Sequence, residues 1–155
     1  MKNTTLCYLE KNGAYLMLHR IKKENDLNKD KWIGVGGKFI DKESPEECAV
    51  REVKEETGLT LDSYEYRGIV TFVSNQWETE YMHLFTSRNF HGTLTECDEG
   101  VLEWVPKNKL EELHLWEGDK IFFRLLDEGY PFFSLKLVYE NENLIHIVLD
   151  GKKIK

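Results

Sequence analysis

The sequence predicts an α+β protein with a layered architecture. One strongly marked helix between residues 44 and 58 has strand-like stretches on both sides, rich in β-branched and aromatic residues. A second helical pattern, with Phe122, Leu125 and Leu126 on one face, precedes a final pair of strand-like stretches. The chain has 155 residues and shows no repeat or linker, so we expect a single domain over residues 1–155.

Two strands and an irregular segment precede the marked helix. Residues 4–10 and 14–20 alternate well enough for strands, and the dipeptide Asn12-Gly13 between them is typical of a tight hairpin. Residues 21–31 are charged and lack periodicity, which predicts a flexible loop over a site.

The marked helix has recognisable signals at both ends. Ser44 is a good N-cap, Pro45 suits the first helical position, and Glu47 completes a capping box. Gly58 can adopt the left-handed conformation that ends a helix. The sequence therefore predicts a helix that begins at Pro45 and ends before Gly58.

Carboxylates form a stripe along this helix. At about 3.6 residues per turn, Glu52, Glu55 and Glu56 fall within about a third of the circumference, beside an apolar stripe. Such crowding favours a bound cation, and hard oxygen ligands suit Mg²⁺ or Mn²⁺. Arg51 can orient the acids through charge-assisted hydrogen bonds. A solvated acidic helix face is the alternative interpretation of the same pattern.

A glycine-rich loop comes directly before the helix. Gly34, Gly36 and Gly37 allow a ligand to approach the backbone closely, and Lys38 adds a cation. Glycines and a lysine beside a stripe of acids favour a ligand that contains phosphate.

After the marked helix the chain returns to strands. Residues 64–74 and 79–87 are rich in β-branched and aromatic residues, and residues 101–105 continue the pattern. His91-Gly92 is expected to form a turn between the last two of these strands.

The last third of the chain adds two short helices and a hairpin. Asn108 is expected to cap the first helix and Asp119 the second, which ends at Gly129. Residues 131–139 and 144–149 then form the final hairpin, followed by a loose tail.

Composition and charge argue against several classes of partner. With 21 basic and 28 acidic residues the net charge is −7, so we expect no surface for duplex nucleic acid or an anionic membrane. An acidic protein that acts on a polyphosphate needs metal ions between the two. Cys7, Cys48 and Cys97 are odd in number and lack a CxxC pair, which predicts reduced thiols. No signal-peptide pattern or long apolar run occurs, so the expected location is cytoplasmic.

The residues from Gly37 onward complete a known signature. Gly37, Glu43 and the run REVKEETGL at residues 51–59 fill every fixed position of the Nudix box, which spans residues 37–59. The chain thus resembles the Nudix hydrolase superfamily. The segments WIGVGGK, DEGVLEWVP, WEGD and PFFSLK resemble its MutT-like (MutX-type) 8-oxo-dGTP diphosphatases. The resemblance implies the Nudix fold, an α/β/α sandwich around a mixed β-sheet.

The resemblance also implies an activity and a set of site residues. It implies Mg²⁺-dependent hydrolysis of a small nucleotide substrate, a nucleoside triphosphate such as 8-oxo-dGTP, to the monophosphate and pyrophosphate. The implied metal ligands are the Gly37 carbonyl, Glu52, Glu55, Glu56 and Glu99, and the implied catalytic residues are Glu52, Glu55, Glu56 and Arg51. Glu52 is our choice of general base, with Glu99 as the second candidate. The implied substrate contacts are Arg20 and Lys38 on the phosphates and Ile33, Phe72, Trp116 and Asp119 around the base.

From the residues alone, simpler interpretations of several positions stay open. Arg20 could be a solvated arginine at a strand end, and Phe72 could be an ordinary core residue. Glu99 would be only a loop acid, and Asp119 would only cap the helix that follows.

Two departures separate this chain from the human MutT-like hydrolase of oxidised purines. That protein has asparagine where this chain has Ile33, and a second aspartate where it has Gly118. Because the side chain of Ile33 forms no hydrogen bond, base recognition must differ in detail. Nudix hydrolysis of another nucleotide or of ADP-ribose is one alternative. A non-catalytic ligand-sensing module is another, although such modules would be expected to lose box acids that are all present here. The sequence leaves the oligomeric state open, and a monomer is compatible with it.

Overall fold

A computed structural model describes all residues from 1 to 155 and shows one mixed β-sheet between two helices. The elements in chain order are β1 (Lys2–Lys11), β2 (Ala14–His19), β3 (Trp32–Ile33), α1 (Pro45–Thr57), β4 (Leu59–Ser74), β5 (Glu80–Gly92), β6 (Val101–Pro106), a 3-10 helix (Lys107–Glu112), α2 (Asp119–Asp127), β7 (Phe133–Glu140), β8 (Asn143–Leu149) and β9 (Lys152–Lys153). The strand order is β3-β2-β1-β5-β4-β7-β8-β9, with β6 paired to β2. The β1–β5 and β4–β7 pairs are parallel, whereas the remaining pairs are antiparallel.

Strand β1 shows how the two helices come to lie on opposite faces. Its Leu6 and Tyr8 belong to the hydrophobic core that contains the buried apolar residues of α2. Its Cys7 and Leu9 belong to the core that contains Val53 of α1. Because successive side chains of a strand point to opposite faces, the layers are helix, sheet, helix. The predicted α/β/α sandwich around a mixed sheet is confirmed.

Helix α1 has the ends that its sequence predicts. The Ser44 hydroxyl accepts a hydrogen bond from the Glu47 amide at 3.1 Å, and the Glu47 carboxylate accepts one from the Ser44 amide at 2.9 Å. Gly58 ends the helix in the left-handed conformation with φ 82°. The capping box and the glycine stop are therefore both confirmed, and they fix where the acidic stripe begins and ends.

Three local predictions are wrong, and each has an identifiable cause. His91-Gly92 is not a turn, because β4 begins at Leu59 and needs both residues as ladder partners. Asn108 caps no helix, since the 3-10 helix begins directly after Pro106 without a side-chain cap. The tail is not loose, because β9 pairs with the end of β8.

Asp119 also does not cap α2, whose N-cap residue is Gly118. The Asp119 amide closes a turn onto the Trp116 carbonyl at 3.0 Å, so the backbone makes the first turn of α2. The Asp119 side chain is left pointing into the protein, where only 6% of the residue is exposed. The capping interpretation of this aspartate is therefore excluded.

Two further features of the fold concern its cysteines and its helices. Cys7, Cys48 and Cys97 are all buried and free, as predicted for reduced thiols. Neither helix has the length and apolar character needed to span a lipid bilayer.

Candidate active site

A cavity of about 580 Å³ lies beside the glycine loop and collects most of the predicted site residues. Those in its lining are Arg20, Ile33, Gly37, Lys38, Glu52, Glu55, Glu56, Phe72, Glu99, Trp116 and Asp119. Arg51 is the one predicted residue that does not line the cavity. The lining consists of two groups of side chains, an acid group around α1 and an aromatic group around Trp116.

The glycines of the loop allow backbone and carboxylates to approach closely. A Cβ atom on Gly37 would lie 2.4 Å from the Glu52 carboxyl, and one on Gly36 would lie 1.9 Å from the Thr5 carbonyl oxygen. The Gly36 amide donates to the Glu56 carboxylate at 2.6 Å. The Gly37 carbonyl accepts the Thr5 amide at 2.9 Å and a weak hydrogen bond from the Cys48 thiol at 3.6 Å, which a ligand could replace. A side chain at position 36 would collide with the Thr5 backbone, whereas one at position 37 would displace the Glu52 carboxyl.

Arg51 braces the acid group from outside the cavity. Its guanidinium donates to Glu52 at 2.7 Å, to Glu55 at 3.2 Å and to the Lys38 carbonyl at 2.9 Å. Two further bonds, at 2.6 and 2.9 Å, go to the Glu43 carboxylate and hold its pKa at about 2. Arg51 thus links the acidic side of α1 to the loop that precedes this helix. Glu43 occupies a fixed position of the Nudix box, but the box pattern alone does not indicate its contact with Arg51.

Glu56 and Glu99 form a close carboxyl pair with opposite pKa shifts. Burial, and then the neighbouring Glu99 carboxyl, raise the pKa of Glu56 to about 8. Burial acts in the same direction on Glu99, but hydrogen bonds from Lys23 and Glu56 and the charge of Arg20 hold its pKa below the usual value. At neutral pH the pair therefore keeps a proton, mainly on Glu56.

The four predicted acidic ligands share a cavity but do not converge on one point. No group of three or more His, Cys, Asp or Glu side chains has the arrangement of a metal site. Glu52 is drawn to Arg51, and Glu99 to Arg20 and Lys23 at 2.9 Å each. These ion pairs hold two of the acids towards neighbouring cations, and the assignment of the four acids as metal ligands stays a prediction.

The loop of residues 21–31 is fastened to the acid group by cations. Arg20, at the start of this loop, donates to Asp26 at 2.8 Å as well as to Glu99. The Lys22 ammonium reaches the Cys97 carbonyl at 2.8 Å. Lys38, by contrast, forms no ion pair and is exposed in the cavity wall. Of the two predicted phosphate contacts, Lys38 has its charge available and Arg20 shares its charge with two carboxylates.

Trp116 is the centre of the aromatic group. Phe72 and Tyr139 pack edge-on against its ring, with centroids 5.2 and 4.9 Å away. The Lys31 ammonium lies 4.3 Å from the ring centroid and is held there by Glu142 at 2.6 Å. Phe72 belongs to the hydrophobic core and also lines the cavity, so its role as a core residue is confirmed and its contact with a base stays a prediction.

Asp119 completes the aromatic group as a buried carboxyl. Burial raises its pKa to about 8, against the opposing charge of Lys31. Gly118, where the human protein has a second aspartate, donates its amide to the Tyr139 hydroxyl at 2.8 Å. A Cβ atom at this position would lie 2.3 Å from Leu137 Cδ1, so the packing leaves no space for that second acid. Asp119 is thus the carboxyl that this helix start contributes to the cavity wall.

This fold and this acidic helix define a class of protein. Residues 2–126 match the NUDIX domain family, and the chain belongs to the Nudix hydrolases, enzymes that act on phosphoric anhydrides. Among its relatives is the zebrafish (Danio rerio) oxidized purine nucleoside triphosphate hydrolase, 35% identical over 72% of each chain. The mouse (Mus musculus) protein of the same name is 32% identical over 71% of each chain. Among solved structures, the MutT protein of Bacillus halodurans superimposes with a TM-score of 0.85 at 25% identity, covering 97% of this chain and 98% of that one.

Proposed function

We propose that this Nudix hydrolase is a Mg²⁺-dependent enzyme of the nucleotide pool, formed by one domain over residues 1–155. It converts 8-oxo-dGTP to the monophosphate and pyrophosphate, in the cytoplasm. The observation that carries the proposal is that one cavity joins the oxygen-rich acid group to an aromatic group with a buried carboxyl. Such a cavity fits a ligand with a polyphosphate at one end and a base at the other. The names of the zebrafish and mouse relatives favour an oxidised purine as that base.

The donor set of the acid group fits a divalent cation. Nudix enzymes generally use divalent metals. Here Glu52, Glu55, Glu56, Glu99 and the Gly37 carbonyl offer only oxygen atoms, which suits Mg²⁺ or Mn²⁺. Glu56 and Glu99 are close enough to interact, so a cation between them would offset the repulsion of two ionised carboxylates. When bound, the cation would neutralise the phosphates and lower the pKa of the attacking water.

The side chains of the acid group have separate tasks in this proposal. Glu52 takes the proton from the attacking water, because Arg51 occupies only its Oε1 atom and leaves Oε2 available. Glu99 is the less suitable base, since Arg20 and Lys23 occupy both of its oxygens. Arg51 keeps the acids in position, and Glu55 and Glu56 act as ligands.

The remaining cations contact the phosphates. Lys38 is free to do so directly, since it forms no ion pair. The Arg20 guanidinium now donates to the Glu99 carboxylate. A divalent cation bound at Glu99 would release Arg20 from this ion pair, and Arg20 would then contact a phosphate.

The aromatic group receives the base. Trp116 offers a stacking surface, and Phe72 and Ile33 supply shape. Oxidation of guanine at C8 converts N7 from an acceptor into an N–H donor, so the Watson–Crick and N7 sides of the base both present donors. Asp119 accepts from these donors. Because its pKa lies near 8, it also offers a proton to a base oxygen near neutral pH.

A substrate panel tests the proposal. With Mg²⁺ and H₂¹⁸O, kcat/KM and products are measured for 8-oxo-dGTP, dGTP, the other nucleoside triphosphates and ADP-ribose. We expect the highest kcat/KM for 8-oxo-dGTP, pyrophosphate as the released product, and ¹⁸O in only one of the two products. Stepwise release of orthophosphate, or a higher kcat/KM for ADP-ribose, would overturn the assignment.

A further inference from the structure

Asn28 lies in the loop between β2 and β3, and it also lines the cavity. Its Oδ1 atom accepts a hydrogen bond from the indole nitrogen of Trp116 at 2.8 Å. Because an indole N–H is only ever a donor, the amide oxygen must face Trp116, and the orientation of the amide is fixed. The Nδ2 group has no hydrogen-bond partner within the chain, so its two N–H donors remain for a ligand.

The loop backbone around Asn28 is held by its own side chains. The Asn28 amide donates to the Asp26 carboxylate at 3.0 Å, and the Asn28 carbonyl accepts from the Lys31 amide at 2.8 Å. Asp26 is in turn fixed by Arg20 at 2.8 Å, and its side chain is only 6% exposed. The amide donors of Asn28 are therefore pre-organised, which lowers the entropic cost of their binding a ligand.

Asn28 supplies what the neighbouring lining residues lack. Ile33 contributes only hydrocarbon, and the Trp116 N–H is already engaged by Asn28. Lys31 is the nearest cation, but it is held by Glu142 and does not line the cavity. A base that enters beside Trp116 thus meets the Asp119 carboxyl and an uncharged double donor from Asn28.

We propose that Asn28 is a specificity-determining residue whose Nδ2 group donates to a carbonyl oxygen of the bound base. The pocket therefore favours purines that carry oxo groups, such as guanine and its 8-oxo form. Adenine presents an amino group at C6, and two donors facing each other leave both without an acceptor. This inference rests on the proposed function, because it assumes that the aromatic group receives a base.

The experiment compares the wild type with Asn28→Asp and with the control Asn25→Asp. Aspartate at position 28 keeps an oxygen for the Trp116 indole but loses both N–H donors. Asn25 is exposed on the same loop, so its variant adds the same charge without touching the cavity lining. Steady-state kinetics with 8-oxo-dGTP and dATP are combined with metal-free titration of 8-oxo-dGMP, followed by tryptophan fluorescence.

For Asn28→Asp we expect KM for 8-oxo-dGTP, and Kd for 8-oxo-dGMP, to rise about 10- to 100-fold. The kcat should stay within about twofold, because the lost contact binds ground state and transition state alike. KM for dATP should change less, and Asn25→Asp should behave as the wild type.

The possible results separate the two proposals. If the wild type prefers 8-oxo-dGTP and Asn28→Asp keeps that preference, the role of Asn28 is refuted while the proposed function stands. An equal loss of kcat on both substrates also refutes it, since this would indicate a structural role. If the wild type shows no preference for oxo-purines, the proposed function fails and this inference fails with it.

Discussion

Replacement of Asp119 by asparagine should make the protein more stable, and increasingly so as the pH rises. Asparagine has nearly the same shape as aspartate but has no acidic proton. Burial raises the pKa of Asp119 from 3.8 to about 8, so the wild type must either keep a proton there or bury a charge. The positive charge of Lys31 opposes this rise in the pKa of Asp119. The negative charge of Asp119 in turn raises the pKa values of Tyr8 and Tyr139, which are also raised by burial.

The magnitude follows from the two pKa values of Asp119. Between pH 4 and pH 8 the unfolded chain has lost this proton, whereas the folded chain still holds it. The free energy of unfolding of the wild type therefore decreases with pH by up to about 1.4 kcal/mol per pH unit over this range, and this contribution levels off above pH 8. The asparagine variant lacks this pH-dependent contribution to the free energy of unfolding. Its advantage over the wild type should thus grow by roughly 3–4 kcal/mol from pH 5 to pH 8.

Urea unfolding of both proteins at pH 5, 6, 7 and 8, without added metal, measures this difference directly. Other titrating groups are common to both proteins and cancel in the comparison. Asp127→Asn is the matched control, because Asp127 ends the same helix α2 with an exposed side chain. A stability difference that stays constant with pH for Asp119→Asn would show that the buried carboxyl ionises normally. It would also exclude a protonated Asp119 as a hydrogen-bond donor to the base.

Three further predictions concern the acid group and the start of α2. Glu55→Gln and Glu56→Gln should each lower turnover by about two orders of magnitude or more. Because the acids of the wild type repel one another, the metal-free variants should unfold at no lower urea concentration than the wild type. Full Mg²⁺-dependent turnover in both variants would exclude these acids from the site. Arg51→Lys loses the planar guanidinium that reaches Glu43 and Glu52 together, so kcat should fall about 10- to 100-fold. The control Arg124→Lys, at an exposed ion pair, should leave kcat unchanged. Equal kcat values for the two variants would contradict the role of Arg51 in positioning the acids. Gly118→Ala should cost about 1–3 kcal/mol in urea unfolding because its Cβ meets Leu137, and an unchanged midpoint would mean that the packing there is looser than we describe.

Features with local causes were predicted well from the sequence. The ends of α1 follow from Ser44, Glu47 and Gly58, whose interactions span only a few residues, and the structure reproduces them. The tight turn at Asn12-Gly13 is similar, since both residues have positive φ values, as a two-residue hairpin loop requires.

Features that depend on distant partners could not be predicted in the same way. The parallel pairing of β1 with β5 joins residues such as Leu6 and Leu84, and no short-range pattern encodes which strands become neighbours. Asp119 was assigned as a cap by a local rule, but the apolar face of α2 turns this residue inward. A role for Asn28 could not be predicted, because nothing in an irregular charged stretch indicates that its side-chain amide contacts Trp116.

The separation of the two helices by the sheet has a consequence for protein engineering. Glu52, Glu55 and Glu56 of the hydrolytic site are carried by α1 on one face, whereas Trp116 precedes α2 on the other face and Asp119 begins it. A library confined to Asn28, Ile33 and the residues before α2 would therefore alter the nucleotide accepted without changing a side chain of α1. Because the sheet lies between the two helices, new substrates could be selected against an unchanged set of acids on α1.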